Sequence, residues 1–346
     1  MNSICVKIAL WYDNNMRDLP WRHTHDPYLI WLSEIILQQT RVAQGLGYYN
    51  RFVSAYPTVH DLAAASLDDV LKLWQGLGYY SRARHLHAAA RSVTTFPCHY
   101  HELIRLPGVG TYTAAAVASF SCGEAVAVVD GNVYRVLSRL FDIDTPIDTP
   151  QGQKRYQQLA DALLADVMAE APSASSARHN QSLMEFGALL CTPAAPQCAA
   201  CPVAEHCLAL AHDTVTLRPV RQGKAKVRKR RFAYIIYIYK DTLWVHQRQA
   251  GDIWQGLWEF VLREDMPASA LDAGARLLFC KQHKLTHQTL QAEFWVVRLP
   301  DDADPLLDAR IMALPDGYRQ VSWPEWQLYA VPRLIDEANS LLSAWF

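Results

Sequence analysis

The chain has 346 residues, 51% of them hydrophobic and 19% charged, which is typical of a folded protein long enough for two domains. The net charge is −1 and the sequence pI is about 6.9, which excludes an overall basic excess; any contact to nucleic-acid phosphates must come from local patches or backbone amides. Residues 1–15 lack the apolar run of a signal peptide and no later run could span a bilayer, so we expect a cytoplasmic protein without a membrane partner. In such a reducing compartment, the eight cysteines are expected to be metal ligands or core residues rather than disulfides.

Residues 1–217 are predicted to form an all-α domain. The first clear helix start is Asp26-Pro27, an N-cap residue followed by proline at the first helical position, and an apolar run then continues to Leu37. Alternating strand patterns are nearly absent. Glycines and prolines separate the later predicted helices, which are 83–93, 112–120, 133–141, 153–169 and 177–190.

The composition changes after Leu217. Residues 218–231 are dense in lysine and arginine and are predicted to be a basic linker. The remaining residues, 232–346, are predicted to form an α+β domain. Its expected strands are 232–239, 243–247 and 292–299, and its expected flanking helices are 268–279 and 331–344.

Four cysteines lie close together before this change, at Cys191, Cys198, Cys201 and Cys207. Four thiolates in one loop suit an iron–sulfur cluster or a tetrahedral metal ion. Structural zinc sites usually combine two closely spaced ligand pairs, whereas this loop has one such pair. The spacing alone leaves the choice between a cluster and zinc open.

The segment Leu106-Pro107-Gly108-Val109-Gly110 lies between two predicted helical stretches. Its two glycines let the backbone approach a phosphate closely, and the following helix directs its first amides there. This pattern is typical of a helix-hairpin-helix, which binds DNA without reading its sequence. The alternative is an ordinary helix–helix turn.

Two carboxylates are candidates for acid–base chemistry. Glu34 is the only charged residue between Pro27 and Thr40, so its pKa should be raised, which suits a general acid. Asp130 precedes the helix predicted after Gly131, where helix amides favour a charged carboxylate. One acid and one carboxylate are what glycosidic cleavage needs. The alternative is that Asp130 only caps the helix and Glu34 faces water.

Together these motifs resemble the helix-hairpin-helix base-excision superfamily, in the endonuclease III and MutY branch. The cysteine spacing is similar to that branch's 4Fe–4S signature, and the hairpin and residues 129–132 lie where the family has them. Residues 19–22 and 33–41 resemble N-terminal segments of the adenine-specific members, and residues 76–82 resemble their loop that enters the duplex. The resemblance covers nearly the whole chain.

The resemblance implies a glycosylase that removes adenine mispaired with 8-oxoguanine, or with G, from double-stranded DNA. Glu34 would protonate adenine N7, and Asp130, oriented by Asn132, would stabilise the positively charged sugar. Tyr112 stands where bifunctional relatives carry a Schiff-base lysine, so base release without strand cleavage is implied. The flipped adenine would lie in a pocket formed by Trp21, Arg22, Leu37, Tyr112 and Glu185.

The same resemblance assigns DNA contacts. Gln39 and Tyr79 would enter the gap and, with Thr40 and Leu77, would contact the guanine side. The hairpin residues Gly108, Val109 and Gly110 would contact the DNA phosphates.

The C-terminal domain resembles the Nudix-like module of this branch, because residues 243–248 and 254–260 match its strand–turn signature. No catalytic Nudix helix follows, which implies recognition rather than pyrophosphatase chemistry. The sensing loop reads Phe-Ser-His in relatives and Leu285-Thr286-His287 here. Thr286 and His287 are therefore predicted to recognise the opposite base. The degree of their specificity for 8-oxoguanine over guanine stays open.

Three other functions compete with this interpretation. An endonuclease III-like glycosylase and lyase for oxidised pyrimidines is disfavoured by Tyr112 and the long C-terminal domain. A non-catalytic iron–sulfur DNA-binding protein is disfavoured by Glu34 and Asp130, and a nucleotide pyrophosphatase by the missing Nudix metal ligands. We expect a monomer with one 4Fe–4S cluster.

Overall fold

The computed structural model describes residues 2–170, 175–223, 227–265, 272, 274–302 and 304–346. The chain forms two compact units, the first made of Met1–Ala63 and Ala88–Lys224 and the second of Ala64–His87 and Ala225–Phe346. Linker residues 224–226, and residues 268–271 and 273 of one predicted helix, lie outside the described residues. Across the described ranges, no helix is long and apolar enough to cross a membrane.

Between residues 2 and 211, the described part of the chain contains helices and no strand, as predicted. Each helix predicted here is present with its ends shifted by at most three residues, and several short helices add to them. In chain order the helices are α1 (Asn2–Asn15), α2 (Pro27–Leu37), α3 (Val42–Ala55), α4 (Val59–Ala64), α5 (Leu67–Trp74), α6 (Ser81–Arg91), α7 (Tyr100–Leu103), α8 (Thr111–Cys122), α9 (Gly131–Leu140), α10 (Pro150–Glu170), α11 (Ser176–Leu189) and α12 (Leu208–Ala211).

Helix α2 is a central element of the first unit. The Asp26 side chain accepts a hydrogen bond from the Tyr28 amide at 2.8 Å, and Pro27 occupies the first turn, which confirms the predicted start. Eight of its eleven residues are buried, so the helix has almost no solvent-facing side. Glu34 is one of the eight, and this explains why a carboxyl on this helix lies inside the protein.

A close contact between α9 and α11 depends on Gly187. A Cβ atom at this position would lie 2.7 Å from Asn132 Cβ and 2.9 Å from the Asn132 carbonyl oxygen. Both distances are shorter than packed atoms allow, so only glycine lets the two helices approach here. The contact fixes the first turn of α9.

One cysteine expectation was wrong. Cys98 and Cys122 form a disulfide, with their Cα atoms 6.1 Å apart, whereas no disulfide was expected. The pairing joins residues 24 positions apart, and it depends on how α7 and α8 fold back on each other.

The second unit contains a sheet that has six strands in the described residues: β1 (Arg228–Tyr239), β2 (Thr242–Gln247), β3 (Trp258–Glu264), β4 (Arg276–Lys284), β5 (Gln288–Arg298) and β6 (Arg319–Ser322). Their order is β4-β5-β1-β3-β2-β6, with β1 parallel to β5 and antiparallel to β3. Strand β1 begins at Arg228, so the last residues of the predicted linker belong to the sheet.

The uninterrupted apolar sequence of β1 follows from its central position. Phe232, Tyr234 and Ile236 pack into the core on one face, whereas Ile235 and Tyr237 pack into a separate core on the other. A strand buried on both faces needs no polar alternation. Short helices α13 (Ala309–Met312) and α14 (Trp323–Trp326) and the longer α15 (Arg333–Leu342) complete the unit, and α15 confirms the helix predicted at 331–344.

The helix predicted at 268–279 was wrong where the structure describes it, because residues 276–284 form β4. This strand pairs antiparallel with β5, and its register shifts between Leu277 and Phe279. The shift breaks the alternation that marks a strand in sequence, so the pairing partner rather than the local pattern determines the conformation.

We predict that Gly187→Ala destabilises the protein by about 1–3 kcal/mol, because the added methyl group overpacks the α9–α11 contact. Gly47→Ala is the matched control, since Gly47 lies in α3 with open space around its Cα. That change should be neutral or stabilise by up to about 1 kcal/mol. Urea unfolding measures the free energy of unfolding of both variants. Equal changes in the two would contradict the steric requirement for glycine at position 187.

Candidate active site

Glu34 and Tyr112 form the first element of the candidate site. The Glu34 side chain is only 7% exposed, and the Tyr112 hydroxyl donates a hydrogen bond of 2.5 Å to Glu34 Oε2. Tyr112 lies in the first turn of α8, immediately after the hairpin. The alternative in which Glu34 faces water is therefore wrong.

Burial raises the pKa of the Glu34 carboxyl to about 7, although the hydrogen bond from Tyr112 lowers it. Water stabilises a carboxylate better than the apolar interior does, so removing water favours the protonated form. At neutral pH this carboxyl therefore has a substantial protonated population and is able to give a proton away.

Asp130 is the N-cap residue of α9, as predicted. Its carboxylate accepts hydrogen bonds from the Asn132 amide at 2.9 Å, the Val133 amide at 2.7 Å and the Asn132 side-chain nitrogen at 2.7 Å. Burial raises the pKa of Asp130, and these three donors oppose the shift by stabilising the charged form. Asn132 thus contacts the Asp130 carboxylate through both its backbone amide and its side-chain nitrogen.

Arg135 is a residue that the sequence did not indicate. Its guanidinium donates to Asn132 Oδ1 at 2.8 Å, to the Gly187 carbonyl at 2.6 Å and to the Cys191 carbonyl at 2.7 Å. One buried cation therefore connects the residue that orients Asp130 with the start of the cysteine loop. Its position one turn into an amphipathic helix gave no signal of this role.

Glu185 and Arg22 contact each other. The Glu185 carboxylate accepts bonds from Arg22 at 2.8 and 3.1 Å and from three nitrogens of Arg17 at 2.6–2.9 Å. Burial opposes ionisation of Glu185, but these donors hold its pKa at about 2. Arg17 was missed by the sequence analysis, because its partner lies 168 residues away.

The other predicted pocket residues occupy different surroundings. Trp21 is buried and packs edge-to-face on Tyr49 with ring centroids 5.1 Å apart, and Leu37 is the last residue of α2. Tyr112 borders a groove of about 900 Å³, whose lining includes none of Trp21, Arg22, Leu37 or Glu185. Among the predicted pocket residues, Arg22 contacts Glu185, whereas Tyr112 contacts Glu34.

The hairpin has the form expected for phosphate binding. Gly108 is exposed with φ +73°, and Gly110 is the N-cap residue of α8 with open space around its Cα. Val109 instead turns its side chain inward, and its amide bonds to the Leu106 carbonyl at 3.1 Å. The amides available to a ligand are therefore those of the first turn of α8, which have no acceptor within the helix.

Two of the predicted DNA-contacting residues share a strained backbone. Gln39 has φ +56° and is exposed, and Tyr79 has φ +48° with 47% of its surface exposed. Non-glycine residues seldom adopt this conformation, and it clusters at functional sites. Thr40 is partly buried, whereas the Leu77 side chain is buried and leaves only its backbone for contact.

In the second unit, Thr286 and His287 line a pocket of about 540 Å³ together with Tyr79 and Trp254. The Tyr79 hydroxyl and Thr286 Oγ1 are 2.7 Å apart and share a hydrogen bond. Thr286, predicted to recognise the opposite base, and Tyr79, predicted to enter the gap in the duplex, therefore lie in direct contact. Tyr80, the neighbour of Tyr79, is instead buried.

The cysteine loop brings its four sulfurs to one apolar pocket, lined by Cys191, Cys198, Cys201 and Cys207. In the described part of the chain, no three of them lie within 4.8 Å of one another. Around one tetrahedral zinc ion, sulfurs lie roughly 3.8 Å apart, so the loop is wider than a single-ion site. Burial raises the pKa of Cys201 to about 11, and Arg139 donates a hydrogen bond to the Cys191 sulfur at 3.4 Å.

Comparison with protein-family models identifies two matching regions. Residues 32–163 match the HhH-GPD superfamily of base excision DNA repair proteins, and residues 233–339 match the NUDIX domain. Among solved structures, a thermostable thymine-DNA glycosylase is similar with a TM-score of 0.54 and 30% identity, covering 61% of this chain and 96% of that protein.

The curated relatives share one activity in their names. The adenine DNA glycosylase of Buchnera aphidicola is 31% identical over 259 residues, which cover 73% of each chain. The human adenine DNA glycosylase is 43% identical over 217 residues, covering 58% of this chain and 38% of the human protein. From this similarity, and from both matched domains, the chain belongs to the adenine DNA glycosylase family.

Proposed function

We propose that this protein is a monofunctional glycosylase of base excision repair that removes adenine opposite 8-oxoguanine, and opposite G, from double-stranded DNA. The observation that carries the proposal is the pair of carboxyls in different surroundings: Glu34, buried beside the Tyr112 phenol, and Asp130, held by amides. A phenol at this position offers no amine for a lyase reaction.

In the proposed mechanism, the Glu34 carboxylic acid gives its proton to N7 of the flipped adenine. The protonated base leaves with the bonding electrons, and positive charge develops on the sugar. The Asp130 carboxylate, oriented by Asn132, stabilises that charge. Glu34 is now ionised and takes a proton from water, whose oxygen attacks the sugar, and the acid is thereby restored.

The cysteine loop fits a 4Fe–4S cluster, which Cys191, Cys198, Cys201 and Cys207 would hold. The fit is supported by four sulfurs around one pocket, by their wide spacing and by the cationic Arg139 beside Cys191. When bound, the cluster would crosslink the loop and favour deprotonated thiols. The chain itself aligns this loop with α9 through Arg135.

The function is tested with duplexes that contain A opposite 8-oxoguanine, A opposite G, or oxidised pyrimidines, followed by alkaline cleavage of abasic sites. We expect product from the first two only, and little covalent trapping by borohydride. Excision of oxidised pyrimidines with efficient trapping would support the endonuclease III-like alternative instead.

Glu34→Gln should abolish adenine release while duplex binding stays within about twofold, because the amide keeps the shape but has no proton to donate. Single-turnover kinetics and a binding titration on the same A:8-oxoguanine duplex measure the two effects. A wild-type rate in this variant would remove Glu34 from the mechanism.

The rate of adenine release should fall as the pH rises through about 7, since the protonated form of Glu34 is present below its raised pKa and lost above it. Tyr112→Phe removes a hydrogen bond that lowers this pKa. The alkaline limb of the single-turnover profile should therefore move upward by about one to two pH units. A downward shift would contradict the assignment of Glu34 as the acid.

Purified protein should contain about four irons per chain, and Cys201→Ser should lose iron and DNA affinity together, because metal binding supports local folding. Cys280→Ser is the control, since Cys280 is an exposed cysteine on β4. Stoichiometric zinc without iron in anaerobically prepared protein would contradict the assignment of a 4Fe–4S cluster to this loop.

Thr286→Val should reduce the preference for A opposite 8-oxoguanine over A opposite G by up to roughly tenfold, because a hydrogen bond to the N7–H of the oxidised base contributes about 0.5–1.5 kcal/mol. Thr286→Ser keeps the hydroxyl and should discriminate as the wild type does. Equal discrimination by the valine variant would show that Thr286 is not the reader.

A further inference from the structure

The Cys98–Cys122 disulfide has a particular position relative to the hairpin. Cys98 lies two residues before α7, and Cys122 is the last residue of α8. The crosslink therefore encloses α7, the hairpin turn and the whole of α8, including Tyr112. It joins the two ends of the segment whose turn offers amides to a phosphate.

The surroundings of the two sulfurs suit thiol chemistry. Cys122 is exposed and Cys98 is partly exposed, so a reagent in solution can reach the pair. Both sulfurs lie within 4.8 Å of a ring nitrogen of His99, whose imidazole is able to accept a thiol proton. Glu124 orients this region, since its carboxylate lies 3.4 Å from His99 Nδ1 and accepts the Tyr100 amide at 2.9 Å.

We propose that Cys98 and Cys122 are a site of reversible oxidation. Their disulfide crosslinks the two ends of the helix-hairpin-helix segment and restricts its motion. The oxidant is a low-molecular-weight disulfide. Cys122, the more exposed sulfur, gives its proton to His99 and attacks one sulfur of the oxidant, whose S–S bond breaks to release one small thiol. The released small thiolate takes the proton from His99. Cys98 then gives its own proton to His99 and attacks the Cys122 sulfur, whose S–S bond to the second small group breaks, and the departing thiolate takes that proton.

The net change balances: two protein thiols lose two electrons and two protons, and the oxidant gains them to become two thiols. Reduction by the same class of thiols reverses both steps. Buried residues between Thr113 and Phe120 hold α8 in either state, so oxidation should change the mobility of the segment rather than its fold.

The test uses the full-length, iron-loaded protein equilibrated anaerobically in graded mixtures of reduced and oxidised glutathione. Alkylation and peptide mass spectrometry then count free thiols. We expect Cys98 and Cys122 to be lost from the free-thiol pool together, as one two-electron transition, while Cys280 forms at most a glutathione adduct. Cys98→Ser should leave Cys122 unable to form the intramolecular bond, and His99→Ala should slow oxidation about tenfold or more.

Amide hydrogen exchange of the wild-type protein, compared between the oxidised and the reduced form, tests whether the disulfide reduces the mobility of the segment. Amides of residues 100–122 should exchange roughly tenfold more slowly when the pair is oxidised. The proposal is overturned if both thiols stay reduced in every mixture, or if exchange in this segment is the same in both states. It is also overturned if stoichiometric Zn²⁺ protects both thiols of the reduced protein from alkylation and the protection requires His99, because the site would then be a metal site.

Discussion

The hydrogen bonds to the Asp130 carboxylate are the interaction on which the candidate site depends. They give hydrogen-bond acceptors to two amides in the first turn of α9, which have none within the helix. They also fix the side chain of Asn132 and stabilise the negative charge of Asp130. Arg135 binds the far side of Asn132 and continues to the Cys191 carbonyl. Gly187 leaves the space that this arrangement needs. One helix start thus organises a carboxylate, an amide and the beginning of the cysteine loop.

The two candidate catalytic carboxyls differ because of where each lies on its helix. Glu34 is in the middle of α2, where neighbouring backbone groups bond to one another and leave no amide for a side chain. Asp130 precedes α9, where unpaired amides point toward it. Burial raises the pKa of both carboxyls, but at Asp130 the helix amides oppose the shift, whereas at Glu34 the opposing hydrogen bond comes from the Tyr112 phenol.

The features predicted correctly from sequence were those set by near neighbours. Asp26 and Asp130 cap helices through amides two or three residues away, and Glu34 is buried because its own helix is apolar. Features that depend on distant partners were missed. Arg17 donates hydrogen bonds to Glu185, which lies 168 residues away in the sequence, and the β4 strand depends on pairing with β5. The resemblance to a known family supplied the candidate site residues, but it did not predict these contacts.

The positive φ angles at Gln39 and Tyr79 bear on how this protein can change during evolution. The conformational cost is carried by the backbone, and most L-amino acids would incur a similar cost at either position. Gln39 is exposed, so replacing it removes little packing, whereas Tyr79 is about half buried and its hydroxyl contacts Thr286 Oγ1. Substitution of Gln39 therefore alters what its loop contacts while leaving the folding free energy nearly unchanged, but substitution of Tyr79 also removes the contact with Thr286. Replacement of the side chain is therefore tolerated more readily at Gln39 than at Tyr79, although the two backbones carry a similar cost.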